Sequence, residues 1–356
     1  MDILQELSTS TIVISATVLA ATLAFAMGAF FSKNHMPVEG RTILLTGASE
    51  GMGRSAATQL AAKGAHLILV ARNVGRLEEV LAAVKAAARS PSQRFTYISA
   101  DISEPGWAEP VLAEAMAWNG GRQLDIIWSV AGMSTPMLWA DPEMDAVAAL
   151  RQNMDVNFFG AAELSRAALR EWLAPENGAG RGAEPRHFVF TASVLAWFPI
   201  LGYAPYNPTK YAVRGLADTL DMELKLYPDN PVKVHVVYPA SISSPGMERE
   251  NRTKPAITME LEAEEPVVSP DEVARRAIAG LERGEPHVAV SFLGNLMRMA
   301  CLGGGPRNNW VIDTVWSWLL PIIYYFVLWD MYSKIAKWVQ RNGQPWRQPG
   351  RTGKKE

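Results

Sequence analysis

Tyr206 and Lys210 stand four positions apart in Tyr206-Asn207-Pro208-Thr209-Lys210, with Ser193 a short way upstream. At a helix start this spacing stacks both side chains on one face. A free tyrosine keeps its proton to about pH 10. An ammonium within roughly 4–6 Å favours the phenolate and lowers that value. Such a tyrosine can give a proton to a carbonyl oxygen, or take one from an alcohol, near neutrality. Ser193 would donate a hydrogen bond to the same oxygen and stabilise the charge developing there. Tyr-x3-Lys also arises by chance on amphipathic helices, so the surrounding elements must decide.

Arg41–Thr46 reads as a short buried strand, and Gly47-Ala-Ser-Glu-Gly51-Met-Gly53 turns from it into a helix over Arg54–Lys63. Glycines there let the backbone approach a pyrophosphate, and the helix N-terminus adds donors and a positive dipole. A second strand, His66–Ala71, ends without the carboxylate that holds an adenine ribose in an NAD-selective site. Arg72 follows instead and can pair with a 2′-phosphate, with Ser49 and Arg54 as further contacts, so NADP is favoured. A solvated loop arginine is the alternative reading of Arg72. Helix Val74–Ala88 and strand Phe95–Ser99 lead to Ala100-Asp101-Ile102. Asp101 is placed either to accept from the adenine amino group or to cap the next helix, the commoner use of an aspartate.

Strand Leu124–Val130 ends in Ala131-Gly132, small enough to pass beside a cofactor. A long amphipathic helix over Pro142–Leu173 carries Asn157, a poor mid-helix residue that needs a functional or hydrogen-bonded reason to be there. After a surface loop over Ala174–Arg186, strand His187–Ala192 delivers Ser193 at its C-terminal end, the edge where open α/β sheets bind ligands. The Tyr206 helix extends to about Leu226, with Pro205 and Pro208 tolerable in its first turn. Strand Val232–Tyr238 runs into Pro239-Ala-Ser-Ile-Ser-Ser244, and a polar stretch to Ser269 has the position of a substrate-covering flap. Helix Ser269–Arg283 and strand His287–Val290 close the pattern. Strand and helix alternate throughout, which predicts an α/β fold with a single doubly wound parallel sheet, the Rossmann fold.

The formal net charge of −2 points away from nucleic acid. The lone cysteine, Cys301, excludes an intrachain disulfide framework, and no His/Cys cluster has metal-ligand spacing. From Ile12 to Phe31 the chain is almost wholly apolar, long enough to cross roughly 30 Å of hydrocarbon. Asp2 and Glu6 precede this span while Lys33, His35 and Arg41 follow it, which predicts an uncleaved anchor with the rest of the chain in the cytosol. A second apolar run, Val315–Trp329, is interrupted by Pro321 and rich in tryptophan and tyrosine. At ~15 residues it is short for a span and suits a re-entrant or interfacial segment. The alternative is a hairpin with residues 288–305 as its other arm. Lys334, Lys337, Arg341, Arg347, Arg351, Lys354 and Lys355 form a basic tail attractive to anionic lipid. The expected division is a transmembrane anchor over 1–38, a dinucleotide-binding domain over 39–290, and a membrane-associated extension with the basic tail over 291–356.

Over about residues 40–290 this constellation resembles the short-chain dehydrogenase/reductase family. The likeness rests on Thr46-Gly-x3-Gly-x-Gly53, Asp101, Ala131-Gly132, Asn157, Ser193, Tyr206-x3-Lys210, Pro239 and Ser244. Ser129-Val130 and Ala240 depart from the family's usual asparagines and glycine. The resemblance implies that Tyr206 is the general acid/base, that Lys210 lowers its pKa and binds the nicotinamide ribose, and that Ser193 holds the substrate oxygen. It implies that Asn157 supports a water-linked proton relay to Lys210. The implied NADPH site comprises Gly47, Ser49, Glu50, Gly51, Met52, Gly53, Arg72, Asp101, Ile102, Ala131, Gly132, Tyr206, Lys210, Pro239, Ile242 and Ser244, with no metal.

Within the family, Tyr206–Leu220 and Val236–Gly246 resemble the reductases of 3-ketodihydrosphingosine. That likeness implies a long-chain keto lipid substrate and a location in the endoplasmic reticulum membrane with the catalytic domain facing the cytosol. A sterol, retinoid or acyl-lipid ketone is the alternative substrate, and an NADP-binding scaffold without turnover the alternative class. The sequence leaves a homo-oligomer open.

Overall fold

The computed structural model of the chain describes residues 33–177, 180 and 183–345. The span expected at Ile12–Phe31 lies outside the described residues, as do Arg347, Arg351, Lys354 and Lys355 of the basic tail. Met36 and Val38 are buried in the core of the sheet domain, and the His35 N–H donates to the Glu282 carbonyl at 2.7 Å.

The strands are β1 (Thr42–Thr46), β2 (His66–Ala71), β3 (Phe95–Ser99), β4 (Ile126–Ser129), β5 (Arg186–Thr191), β6 (Val232–Tyr238) and β7 (His287–Ala289). All pair in parallel, in the order β3-β2-β1-β4-β5-β6-β7. Between them come α1 (Gly51–Ala62), α2 (Val74–Ala86), α3 (Ala108–Trp118), α4 (Ala146–Met154), α5 (Gly160–Leu173), α6 (Asn207–Glu223), α7 (Pro245–Asn251), α8 (Ala256–Glu262) and α9 (Pro270–Glu282). α10 (Phe292–Cys301) and α11 (Trp310–Asn342) follow the last strand.

Alternate residues of each strand point to opposite faces. Leu44, Phe188 and Phe190 therefore join one core, covered by α3, α5 and α6, while Ile43, Leu45 and Val189 join another under α1, α2 and α9. A sheet covered on both faces needs strands apolar on both, and β1 is buried along its whole length. Strand order reverses between β1 and β4, so their C-terminal ends open a crevice, the place where such sheets bind ligands. The α/β fold with one doubly wound parallel sheet is as expected.

Other features differ from the expectation. The helix expected over Pro142–Leu173 is two helices joined by a π-turn at Asp155–Phe159, a form that concentrates at functional sites. Asp101 caps no helix: α3 begins only at Ala108, and the Asp101 carboxylate accepts from the Ser103 N–H at 3.0 Å and hydroxyl at 2.7 Å. The polar flap contains α7 and α8, which periodicity in so short a stretch does not reveal.

The largest difference is at the C-terminus. Val315–Trp329 is the middle of a 33-residue helix, and Pro321 does not break it. Asn309 caps its start, accepting from the Val311 and Ile312 N–H groups, and Gly343 (φ 72°) ends it. At 1.5 Å per residue this helix is about 50 Å long. It is long and apolar enough to cross a membrane by length and composition. Residues 288–305 form no second arm, because β7 and the ten-residue α10 occupy them. Arg298, within this stretch, is buried and grips Asp313 of α11 through its two terminal guanidinium nitrogens, at 2.7 and 2.9 Å.

Candidate active site

Thr46 ends β1, and its hydroxyl oxygen accepts from the N–H groups of Val130 and Ala131, both at 3.2 Å. The two strand ends at the crevice are thereby tied together. A Cβ on Gly47 (φ +66°) would lie 2.6 Å from Ala131 Cα, and one on Gly53 would lie 2.1 Å from the Gly47 carbonyl oxygen. Only glycine fits at either place, so the turn lies close against the end of β4. Glu50 begins α1 without capping it, which leaves the first N–H groups of the helix without a side-chain partner. Such a helix end accommodates a pyrophosphate. Burial works to raise the Glu50 pKa, yet the Arg249 and Arg76 guanidiniums paired with it hold the carboxyl below its usual range.

The other expected cofactor contacts lie along the same edge. Ser49 is half-buried and Met52 buried in the glycine-rich segment, and Gly51 faces Ser244, whose Cβ is 3.5 Å from where a Gly51 Cβ would sit. Ser244 caps α7, accepting from the Met247 N–H at 3.3 Å, and Ile242 bridges to Val268. The Pro239 carbonyl accepts from the Val194 N–H at 2.9 Å. Arg72, exposed at the end of β2, pairs with Asp101 at 3.3 Å. Ile102 packs under Gly160, where a Cβ would meet the Ile102 carbonyl oxygen at 2.7 Å.

Ser193 follows β5, and its hydroxyl oxygen accepts from the Leu195 N–H at 3.2 Å. Tyr206 precedes α6, with Pro208 in the first turn, where a missing N–H costs nothing. Lys210 is buried, 5.5 Å from the centre of the Tyr206 ring, and donates to the Thr191 carbonyl at 3.1 Å. The three residues are thus together at the crevice edge. The expected charge balance is different, however. Burial, and then the charge of Glu250, raise the Tyr206 pKa above 10 against an opposing hydrogen bond from Ser193. Burial also lowers Lys210 to about 8. Desolvation is the largest influence on the phenol, and it acts against the lowering expected from the sequence.

Asn157 sits in the π-turn. Its Oδ1 accepts from the Met133 N–H at 2.8 Å, and its Nδ2 donates to the Met133 carbonyl at 2.9 Å and to Thr209 Oγ1 at 3.1 Å. Thr209 donates onward to the Tyr206 carbonyl at 2.8 Å. A Cβ on Gly132 would lie 3.2 Å from Asn157 Oδ1 and 3.3 Å from Lys210 Nζ, so the bare glycine lets these groups converge.

Sequence reasoning missed Thr209 and the flap residues that reach this centre. The Tyr203 ring lies 6.1 Å from that of Tyr206, tilted by 56°, and its hydroxyl donates to Glu250 at 2.6 Å. Lys254 lies 3.1 Å from Glu250 and 2.7 Å from Glu262. Thr258 of α8 donates to the Leu201 carbonyl at 3.0 Å, and Gly202 leaves room for it. Glu250 is 47 positions from Tyr203, and no local pattern announces such a contact.

The profile of the short chain dehydrogenase family matches residues 41–255, more than half of the chain. The chain belongs to the short-chain dehydrogenase/reductase family. As a member it uses a nicotinamide dinucleotide, which the crevice and the glycine turn fit. It is 66% identical over 351 residues to 3-ketodihydrosphingosine reductase gsl-3 of Neurospora crassa, covering 98% of this chain and 96% of that one. It is 40% identical to 3-ketodihydrosphingosine reductase ksrA of Aspergillus fumigatus, over 92% and 93% of the two chains. A short-chain dehydrogenase of Sphingobium yanoikuyae solved with NADPH superposes with a TM-score of 0.57 at 22% identity, over 71% of this chain and 88% of that one. That last likeness concerns the fold alone.

Proposed function

We propose that this chain reduces the 3-keto group of 3-ketodihydrosphingosine, using NADPH, to give dihydrosphingosine. The observation that carries the reading is identity of 66% running through 98% of the chain, flap and C-terminal helices included, to a reductase so named. A likeness confined to Ser193, Tyr206 and Lys210 would be shared by reductases of many ketones.

The residues divide the work as follows. A bound reduced nicotinamide supplies the hydride to the carbonyl carbon. Ser193 holds the carbonyl oxygen, and Tyr206, protonated at neutral pH, gives that oxygen its proton. Lys210 binds the ribose and, as an ammonium, favours the phenolate left behind. Asn157, joined to Thr209 and beside Lys210, holds the water through which the proton is replaced. Gly47, Gly51 and Gly53 bring the backbone to the pyrophosphate. Arg72, which pairs with Asp101 at 3.3 Å, would hold the 2′-phosphate, whose larger charge would outcompete one carboxylate.

A single-chain lipid keeps its tail in the bilayer, so the mouth of the site must lie at the interface. α11 suits this place. Tyr324 packs 5.5 Å from Phe198, five residues after Ser193, and Trp318, Ile322, Phe326 and Trp329 are exposed. Exposed apolar surface on this scale marks a membrane or partner contact. Lys334 and Arg341, expected to meet anionic lipid, pair with Glu264 and Glu260 beside and within α8, which sets the helix against the flap. The cytosolic face of the endoplasmic reticulum is the proposed location, with Ile12–Phe31 as the anchor.

The purified protein, given NADPH and in turn 3-ketodihydrosphingosine, a 3-ketosteroid and retinal, is expected to reduce the first at least a hundredfold faster. Product formation is followed by mass spectrometry. Comparable rates on the steroid or retinal would assign the chain to another lipid ketone.

A further inference from the structure

Glu250 is a flap residue whose two contacts both fall on one oxygen. Its Oε1 accepts from the Tyr203 hydroxyl at 2.6 Å and lies 3.1 Å from Lys254 Nζ. Oε2 has no hydrogen-bond partner among the described residues. Lys254 is shared with Glu262 at 2.7 Å, so one ammonium serves two carboxylates. The charge of Glu250 is felt at the Tyr206 phenol. A carboxylate with a spare oxygen thus lies one aromatic ring away from the proposed proton donor, on the far side of Tyr203.

The substrate of the proposed reaction carries an amine on the carbon next to the keto carbon. With its carbonyl oxygen on Tyr206, ordinary bond lengths put the ammonium nitrogen within about 3–4 Å of that oxygen. A cation brought there without a counter-charge would lose its hydration for nothing. We propose that Glu250, through Oε2, receives the substrate ammonium and so selects a sphingoid base over a neutral long-chain ketone. The inference rests on the substrate reading above. It differs from a purely structural role, in which Glu250 only pins the flap to Tyr203 and Lys254.

Removing the charge also changes the environment of Tyr206 for every ketone, so the informative quantity is a ratio. With full-length protein in detergent micelles and NADPH, kcat/KM is measured for 3-ketodihydrosphingosine and for its deaminated analogue, 1-hydroxyoctadecan-3-one. Glu250→Gln is expected to lower the ratio of the two at least tenfold, mainly through KM, and Glu250→Asp to recover part of it. A ratio in Glu250→Gln within twofold of wild type overturns the proposal, whatever happens to the separate rates. A second arm needs no variant. Dihydrosphingosine should inhibit the wild-type enzyme at least ten times more tightly than octadecane-1,3-diol, and equal inhibition overturns the proposal. If the wild-type enzyme reduces the deaminated ketone but not 3-ketodihydrosphingosine, the substrate reading falls and this assignment with it.

Discussion

Desolvation sets the protonation of the two central residues in opposite directions. Tyr206 is held protonated past pH 10, while Lys210 becomes neutral near pH 8. The sign of the pH dependence follows. Below about 8 the ammonium is present; as pH rises through that value it is lost, and with it the charge that stabilises the phenolate. kcat/KM, which reports the free enzyme, should therefore fall on the alkaline side with a midpoint near 8. A limb lying above pH 10 would mean that Lys210 titrates as an ordinary lysine. Arg72 gives a second residue-scale test. Arg72→Glu should weaken NADPH at least tenfold more than NADH in fluorescence titrations, and unchanged selectivity would remove Arg72 from the site. Residue types and spacing made Tyr206, Lys210, Ser193 and the glycines legible in the sequence. The raised tyrosine was not, because it depends on Glu250 of the flap and on burial, neither of which a local pattern contains.

Elements place these residues. The parallel strands put the glycine turn, Arg72, Asp101, Gly132 and Ser193 along one edge because each follows the C-terminal end of a strand. That much is readable from alternating strand and helix patterns. The π-turn was not readable: it spans only Asp155–Phe159, too few residues to show a change of period, and Asn157 was its only trace. Pro321 misled in the other direction, since a proline in an apolar run usually marks a break. α11 continues through it, anchored by the Arg298–Asp313 pair and capped by Asn309. Asp313→Ala leaves the Arg298 guanidinium buried and unpaired, at a cost of about 3–5 kcal/mol. The thermal unfolding midpoint of the full chain in detergent, followed by near-ultraviolet circular dichroism, should drop by several degrees. An unchanged midpoint would show that α10 and α11 do not depend on the pair.

At the scale of the whole molecule, a soluble-type dinucleotide fold carries an exposed apolar helix beside its flap, and the chemistry explains the combination. On the proposed function the ketone reaches Tyr206 while its hydrocarbon tail stays in lipid, and α11 touches both Phe198, near Ser193, and the flap. The family was legible because its markers fall in order on one sheet edge; the geometry of the entrance was not, because it joins segments about 60 to 130 residues apart. The most direct test uses the full-length enzyme in liposomes with 3-ketodihydrosphingosine and NADPH. Wild type is expected to form dihydrosphingosine, whereas Tyr206→Phe should bind NADPH within about twofold of wild type but lose at least a hundredfold in turnover, the order of a general acid's contribution. Dihydrosphingosine formed by Tyr206→Phe at the wild-type rate would contradict the role of Tyr206.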